Sequence, residues 1–340
     1  MGVFSFPDNP SVGKGSKCSM AHCHRSTMIR ACTSRVVLMA AFLLLALAPQ
    51  ASLQLAAAAD SDSAGNPPKL LLISLDSFGW DFLGKLPRSR VPNFDAFIKR
   101  GVHVRWVENV FPTVTRTNHM SLVSGLYAES HGVVHNDFYD PVLEASIPSQ
   151  GRLSESDSKW VDVGAEPVWV TNSQAGEGRR SGTIYWPCAD ARIKGRLPDE
   201  IKRGEWAVSE ETVSPYQRID WALDWLTGES VQPLNFAAVY IHNPDKLSHA
   251  HGPDSQEVLD SIVSRDKILG HLMLKMKEKN LDEKLNVVIT ADHGQMAVGP
   301  ELFINIDLFV DPSWYTTYPH LDLGTPMVNL WPKEGKLFMN

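Results

Sequence analysis

The sequence predicts an α/β protein with a mostly parallel central sheet, and three apolar runs carry this prediction. The runs are residues 70–75, 236–241 and 287–289. Each run is continuous rather than alternating, which is typical of strands that are covered on both faces of a parallel sheet. A helical pattern separates the second run from the third. A strand, a helix and a strand in that order form the crossover unit of parallel sheets.

Residues 1–59 are expected to be an N-terminal extension that carries a secretory signal peptide. Arg30 and Arg35 precede the apolar stretch 36–48, and small residues that suit cleavage follow it. An uncleaved signal anchor is the alternative, because the apolar stretch and its flanks could just span a bilayer. Either way we expect the remaining chain to be extracellular, secreted or at the cell-surface membrane. A polar linker at residues 60–69 precedes it.

The composition of the whole chain limits its function. The 340 residues are 43% hydrophobic and 21% charged, which is an ordinary globular composition. The formal net charge of -7 argues against a nucleic-acid-binding domain, which needs a basic surface. Only Cys188 of the four cysteines lies beyond residue 59, so no internal disulfide is expected there.

The three predicted strands end in similar side chains. Asp76 follows the first strand, Asp245 and His249 follow the second, and Asp292 and His293 follow the third. Because ligands of open α/β sheets bind beyond the carboxyl ends of the strands, we expect these side chains to share one site. Each alone could be an ordinary cap or loop residue. Together they suit a divalent metal, with zinc favoured over calcium because of the histidines.

The helix between the second and third strands has a recognisable start. Asp254 and Glu257 form a predicted capping box, and apolar residues at helical spacing continue from Val258 to Met276. This pattern predicts the crossover helix of the parallel sheet.

The stretch 111–132 contains a candidate nucleophile. Thr115 and Thr117 are both placed to cap a short helix over 118–125. A hydroxyl at that position would have a lowered pKa beside a metal and could attack phosphorus. Asn118 could donate a hydrogen bond to an oxygen that gains charge in the transition state. A plain capped turn is the alternative interpretation.

Five motifs occur in order along the chain. They are Asp76 after its strand, Pro-Thr-Val-Thr-Arg-Thr-Asn-His at 112–119, Gly-Leu-Tyr-Ala-Glu-Ser-His-Gly at 125–132, Pro-Asp-Lys-Leu-Ser-His-Ala-His-Gly-Pro at 244–253, and Asp-His-Gly at 292–294. With these motifs the chain resembles the ectonucleotide pyrophosphatase/phosphodiesterase family of the alkaline phosphatase superfamily. The resemblance implies an alkaline-phosphatase-like three-layer sandwich. It also implies that residues 70–340 are a phosphodiesterase catalytic domain whose C-terminal part is missing.

The resemblance further implies a site with two Zn2+ ions. One zinc would be held by Asp76, Thr115, Asp292 and His293, and the other by Asp245 and His249. Thr115 matches the nucleophile of the family, and Asn118 matches the residue that binds a phosphoryl oxygen. The implied reaction is hydrolysis of a phosphodiester or pyrophosphate bond through a phosphothreonine intermediate. Three further motif histidines, His119, His131 and His251, are expected to make structural hydrogen bonds.

The chain departs from the family pattern at three places. Arg116 stands where the family often has an aromatic residue, and Trp206 is the only aromatic near the position of the base-stacking tyrosine. The substrate could therefore be a nucleotide, a choline phosphodiester or a lysophospholipid. After His293 only His320 follows, which does not match the last zinc ligand of the family. We therefore expect a fragment of a longer domain, with a membrane anchor at the N-terminus or in the missing C-terminus, and a non-catalytic ectodomain is the alternative.

Overall fold

The computed structural model describes five stretches of the chain. They are residues 3–5, 67–147, 156–204, 208–317 and 330–336. The described residues other than residue 67 belong to one compact unit. The second unit spans residues 8–67, and residue 67 is the only one of these that is described. The predicted signal segment at 36–48, Trp206 and His320 also lie outside them. Within the described part of the chain, no helix has the length and apolarity needed to cross a membrane.

The strands form one large sheet and two small two-stranded sheets. They are β1 (Val3–Ser5), β2 (Lys69–Leu75), β3 (Val102–His103), β4 (Phe138–Asp140), β5 (Ala145–Ile147), β6 (Ser181–Ile184), β7 (Glu200–Lys202), β8 (Phe236–Ile241), β9 (Leu285–Thr290), β10 (Tyr315–Thr316) and β11 (Trp331–Pro332). The large sheet has the order β3-β1-β9-β2-β8-β6-β7, while β4 pairs with β5 and β10 with β11. The stretch from β9 to β7 is parallel, and β1 is antiparallel to both of its neighbours.

The three strands predicted from the apolar runs occupy the centre of the sheet. They are β2, β8 and β9, with β2 between the other two. Every residue of β8 is buried. Because alternate residues of a strand point to opposite faces, helices and loops must cover both faces of the sheet. The predicted α/β class with a mostly parallel central sheet between helical layers is confirmed.

Seven α-helices are described around the sheet. They are α1 (Pro92–Arg100), α2 (Thr115–Ser124), α3 (Ala128–His131), α4 (Val168–Gln174), α5 (Pro215–Thr227), α6 (Asp245–His251) and α7 (Gln256–Glu278). Short 3-10 turns span Phe82–Gly84, Arg88–Arg90, Ser158–Trp160, Pro300–Leu302 and Ile306–Leu308. The long helix α7 packs against α1 and α5 and leads from β8 to β9, so the predicted crossover helix is confirmed.

The predicted start of α7 is wrong by one residue. The N-cap is Ser255, whose hydroxyl accepts a hydrogen bond from the N–H of Val258 at 3.4 Å. Asp254 does not cap the helix, because its carboxylate accepts a hydrogen bond from Lys85 Nζ at 2.7 Å. A tertiary ion pair has taken the side chain that the local pattern assigned to the cap.

Asp266 of α7 caps a different helix. It lies in the interior, and its Oδ1 accepts hydrogen bonds from the N–H groups of Asn93 and Phe94 at 2.9 and 2.8 Å. Its Oδ2 accepts a third hydrogen bond from Asn93 Nδ2 at 2.8 Å. A carboxylate satisfies the free N–H groups at the N-terminus of a helix and interacts favourably with the helix dipole. Asp266 therefore fixes α1 against α7.

Replacing Asp266 should destabilise the fold. We expect Asp266→Ala to lower the free energy of unfolding in urea by about 2 kcal/mol, because two N–H groups at the start of α1 lose their partner. The control is Asp260→Ala on the same helix, since the Asp260 side chain is 61% exposed and pairs with Arg90 at the surface. That change should cost less than about 1 kcal/mol. Equal losses in the two variants would contradict the capping role.

Candidate metal centre and active site

Asp76, Asp292 and His293 meet at the carboxyl ends of two adjacent strands. β2 and β9 are parallel, with Ser74 opposite Thr290, so both acids arrive at the same level of the sheet. One ligand atom from each of the three side chains lies within 4.8 Å of the others. His293 Nε2 is 3.5 Å from Asp76 Oδ1 and 3.3 Å from Asp292 Oδ2. The structure thus brings together three of the predicted metal ligands.

Two carboxylate oxygens in this cluster are suited to bind a cation. Asp76 Oδ1 and Asp292 Oδ2 are buried and take part in no hydrogen bond. Burial, followed by the charge of Asp292, raises the pKa of Asp76 well above its usual value. Burial also acts to raise the pKa of Asp292, but His293, His119 and the N–H of Ser77 outweigh it and lower that pKa. Carboxylate and imidazole ligands around such unpartnered oxygens fit a divalent transition metal.

The backbone around Asp292 holds its carboxylate in place. Asp292 Oδ1 accepts hydrogen bonds from the N–H groups of Ser77 and His293 at 3.1 and 2.9 Å. The side-chain amide of Asn109 donates to the carbonyl oxygen of Asp292. One carboxylate oxygen is therefore engaged by the fold, and the other is left for a ligand.

Thr115 lies beside the cluster as the first residue of α2. Its Oγ1 is 3.3 Å from His293 Nε2, and the side chain is buried. The predicted capping by Thr115 and Thr117 is wrong, because the N-cap is Val114, which forms no side-chain cap. The N–H of Arg116, in the first turn, donates instead to Asn136 Oδ1 at 2.8 Å. The hydroxyl of Thr115 is therefore directed toward the cluster rather than toward its own helix.

Asn118 braces the loop before Thr115. Its Oδ1 accepts a hydrogen bond from the N–H of Val110 at 2.9 Å, and its Nδ2 donates to the carbonyl oxygens of Pro112 and Val114 at 3.0 and 3.1 Å. Asn118 also lines a cavity of about 240 Å³ beside His293, together with Phe78, Trp80 and Leu122. Its contact with a phosphoryl oxygen stays a prediction.

Asp245 and His249 form a pair next to the cluster. They lie one turn apart on α6, with His249 Nε2 3.5 Å from Asp245 Oδ1, and the His249 side chain is 67% exposed. The N–H of Asp245 donates to the carbonyl oxygen of Asp76 at 3.2 Å, so the pair adjoins the first cluster. Gln295 Nε2 donates to Asp245 Oδ1 at 2.9 Å. Among the described residues, no third metal-ligating side chain joins this pair.

The other motif residues have structural contacts. His119 is fully buried, with Nδ1 2.8 Å from the carbonyl oxygen of Thr115 and Nε2 2.9 Å from Ser74 Oγ. His131 Nε2 lies 2.9 Å from Ser121 Oγ. Both contacts agree with the structural hydrogen bonding expected for these two histidines. His251 is exposed, and its Nδ1 lies 3.9 Å from Glu257 Oε1, which is beyond hydrogen-bond distance. Arg116 is buried, and its Nη1 donates to the carbonyl oxygen of Asn136 at 2.8 Å.

A buried charged group behind Asp245 was not predicted from the sequence. Arg265 Nη1 donates to both carboxylate oxygens of Glu210 at 2.8 Å, and Glu210 Oε1 also accepts from the N–H of Asn243 at 3.1 Å. His242 lies nearby, with Nε2 3.9 Å from Glu210 Oε1. Burial outweighs the attraction of Glu210 and lowers the pKa of His242 to about 4. This group fixes the turn that leads from β8 to Asp245.

Comparison with known sequences identifies relatives over most of the chain. The profile of the family described as type I phosphodiesterase/nucleotide pyrophosphatase matches residues 70–340. Human ectonucleotide pyrophosphatase/phosphodiesterase family member 5 is 38% identical over 268 residues, which are 79% of this chain and 52% of that protein. Bis(5'-adenosyl)-triphosphatase enpp4 of Xenopus laevis is 39% identical over 250 residues, 73% of this chain and 52% of that protein. The chain thus spans about half the length of these curated relatives.

Solved structures share the fold. An inactive variant of murine ectonucleotide pyrophosphatase/phosphodiesterase 5, in complex with AMP, matches with a TM-score of 0.68 and 36% identity. The match covers 79% of this chain and 67% of the murine chain. The human protein of the same name matches with a TM-score of 0.68 and 38% identity over 78% of this chain and 67% of that chain. The alkaline-phosphatase-like fold predicted from the motifs is confirmed.

Acid should destabilise the fold through His242. The pKa of its imidazole is lowered from 6.5 to about 4 in the folded chain, so the stability that it contributes is present above pH 6.5 and lost as the pH falls toward 4. When the pH falls from 7 to 4.5, the free energy of unfolding should decrease in both proteins. The decrease should be about 2.5 kcal/mol smaller in His242→Gln than in the wild type. Chemical denaturation at the two pH values measures this difference. An unchanged acid loss in the variant would contradict the assignment.

Proposed function

Because the chain belongs to the type I phosphodiesterase/nucleotide pyrophosphatase family, we propose that it is an extracellular zinc-dependent hydrolase of phosphodiester or pyrophosphate bonds. The observation that carries the proposal is the position of Thr115, whose Oγ1 lies 3.3 Å from the Nε2 of His293 at the edge of the metal-ligating cluster. A hydroxyl, two carboxylates and an imidazole in one buried place suit nucleophilic attack on phosphorus. The extracellular location rests on the arginines and the apolar stretch of residues 1–59.

Each residue of the cluster has a role in the proposed reaction. Asp76, Asp292 and His293 would hold a zinc ion, which when bound supplies a Lewis acid that lowers the pKa of a neighbouring hydroxyl. Thr115 gives its proton to solvent and attacks phosphorus, so a bond forms between Oγ1 and phosphorus while the bond to the leaving oxygen breaks and that oxygen departs with the bonding electron pair. The positive end of the dipole of α2, which begins at Thr115, would stabilise the charge on the phosphoryl oxygens. Water then hydrolyses the phosphothreonine and releases a phosphate monoester.

The second zinc would be held by Asp245 and His249, which lie 3.5 Å apart. A catalytic zinc normally has three protein ligands, and this pair supplies only two. We therefore assign no step of the reaction to this pair. The position of Asp245 beside the backbone of Asp76 supports its place in the same site.

We propose nucleotides as the substrate class. The murine relative was solved with AMP, and the relative from Xenopus laevis is named a bis(5'-adenosyl)-triphosphatase. The cavity beside His293 has aromatic and apolar walls that include Phe78, Trp80 and Leu122, and such walls suit a flat base or another apolar leaving group. A chromogenic nucleotide diester such as the p-nitrophenyl ester of thymidine 5'-monophosphate is therefore the first substrate to test.

Removing the Thr115 hydroxyl should abolish turnover and leave the metal centre intact. We expect Thr115→Ala to lower kcat on the nucleotide diester by on the order of 10³-fold or more, with zinc content largely retained. Steady-state kinetics and metal analysis measure the two quantities. The control is Thr117→Ala, two residues along the same helix and also buried, which should stay within several-fold of the wild type. Near-normal turnover by the Thr115 variant would contradict its role as nucleophile.

The site should prefer diesters to monoesters. None of the described residues that line the cavity beside His293 is a lysine or an arginine, so a monoester dianion would meet less compensating charge than a diester monoanion. We expect kcat/KM for the diester to exceed that for the matching monoester by on the order of 100-fold, or about 2.7 kcal/mol. Equal or faster turnover of the monoester would indicate a phosphomonoesterase instead.

A further inference from the structure

A tyrosine from the neighbouring strand donates a hydrogen bond to one oxygen of Asp76. Tyr240 lies on β8 opposite Ser74 of β2, so its side chain is on the same face of the sheet as Ser74 and Asp76. Its hydroxyl donates a hydrogen bond to Asp76 Oδ2, and both side chains are buried. Asp76 Oδ1, by contrast, has no hydrogen bond and lies 3.5 Å from His293 Nε2. The phenol thus leaves Oδ1 as the oxygen that can bind a metal.

Tyr240 is itself held by a row of aromatic rings. The ring of His119 lies edge-on to Tyr240 at 5.2 Å and to Trp186 at 5.0 Å. All three side chains are almost completely buried. His119 Nε2 is fixed by Ser74 Oγ at 2.9 Å, so this aromatic row is anchored to the same strand that ends in Asp76.

The aromatic row also touches the second carboxylate. His119 Nδ1 is 3.3 Å from Asp292 Oδ2, the oxygen that faces the cluster. Tyr240 and His119 therefore contact the two buried acids from the same side. A hydrophobic residue would fill the position of Tyr240 equally well if packing alone were needed there, since the surrounding strand is apolar. The hydroxyl indicates a role toward Asp76.

The number of oxygens that a carboxylate can offer affects which metal it binds. Calcium accepts six to eight oxygens and often takes both oxygens of one acid, whereas zinc prefers four ligands in a tetrahedron. Manganese favours an octahedral, oxygen-rich site. A hydrogen bond that occupies one oxygen removes it from the ligand set and orients the other.

We propose that Tyr240 is a positioning residue that makes Asp76 a one-oxygen ligand and thereby biases the centre toward zinc over larger, oxygen-seeking ions. This inference rests on the metal centre of the proposed function. It adds a determinant of metal choice that touches neither the substrate nor the metal. The bias arises from the Tyr240 hydroxyl, which the aromatic row anchored by Ser74 holds in place, so deleting that oxygen or loosening the row should weaken it.

The test is the ratio of zinc to manganese affinity in Tyr240→Phe. Zinc affinity of the full chain is measured by competition with a chromogenic chelator, and manganese affinity by the paramagnetic resonance of the free ion. We expect zinc to bind about 10- to 100-fold more weakly than in the wild type. The affinity for manganese should fall by less than about threefold, because Asp76 gains a second free oxygen. The zinc-to-manganese ratio therefore falls.

A matched control exists in the same chain. The Tyr315 hydroxyl donates to the carboxylate of Asp307 at an exposed position, so Tyr315→Phe removes the same kind of bond away from the cluster. Both metal affinities should be unchanged in that variant. If Tyr240→Phe is too unstable to measure, Ser74→Ala, which releases His119, should lower the zinc-to-manganese ratio in the same direction.

Three results would overturn the inference. They are unchanged zinc affinity in Tyr240→Phe, equal losses for zinc and manganese, and a lower melting temperature with an unchanged affinity ratio, as a purely structural residue would give. Because these assays need no substrate, they are separate from turnover. A wild type that binds zinc but hydrolyses no diester contradicts the proposed function, while the affinity ratio still decides the role of Tyr240. A wild type that binds no zinc overturns both.

Discussion

Two buried carboxylate oxygens that face each other across adjacent strands set the main constraint on this structure. Asp76 Oδ1 and Asp292 Oδ2 take part in no hydrogen bond; His293 Nε2 lies within 3.5 Å of both oxygens, and His119 Nδ1 lies 3.3 Å from Asp292 Oδ2. Removing such charges from water costs several kcal/mol per ion unless a counter-charge compensates. A divalent cation between the two strands would supply that charge. The fold thus holds two acids in an arrangement that a bound cation would stabilise.

The surrounding elements each fix one part of this arrangement. The parallel pairing of β2 with β8 and β9 brings the three strand ends to one level. Helix α2 begins with Thr115 at the cluster, and Asn118 braces the loop before it. Glu210 and Arg265 hold the turn before Asp245, with the N–H of Asn243 donating to Glu210. Regular elements thus provide the ligands, and buried polar contacts from distant parts of the chain set their orientation.

The centre of the fold and the first ligand cluster could be predicted from the sequence because both follow from local patterns. A continuous apolar run indicates a strand, and the polar residue that follows it marks the carboxyl end. The starts of α2 and α7 were wrong because tertiary partners changed the caps: Lys85 pairs with Asp254, and Asn136 accepts from the N–H of Arg116. The role of Tyr240 had only a weak signal, one tyrosine in an otherwise apolar strand. Glu210 had none, since its partners Asn243 and Arg265 lie 33 and 55 residues away.

The central claim is that Asp76, Asp292 and His293 form a zinc site. It is tested most directly by the zinc content of the purified chain after dialysis against zinc-free buffer, in the wild type and in Asp292→Asn. The asparagine keeps the shape of the side chain and removes one of the two charges that the metal compensates. We expect at least one tightly held zinc per chain in the wild type and its loss in the variant. A wild type without zinc, or a variant that retains as much zinc as the wild type, would contradict it.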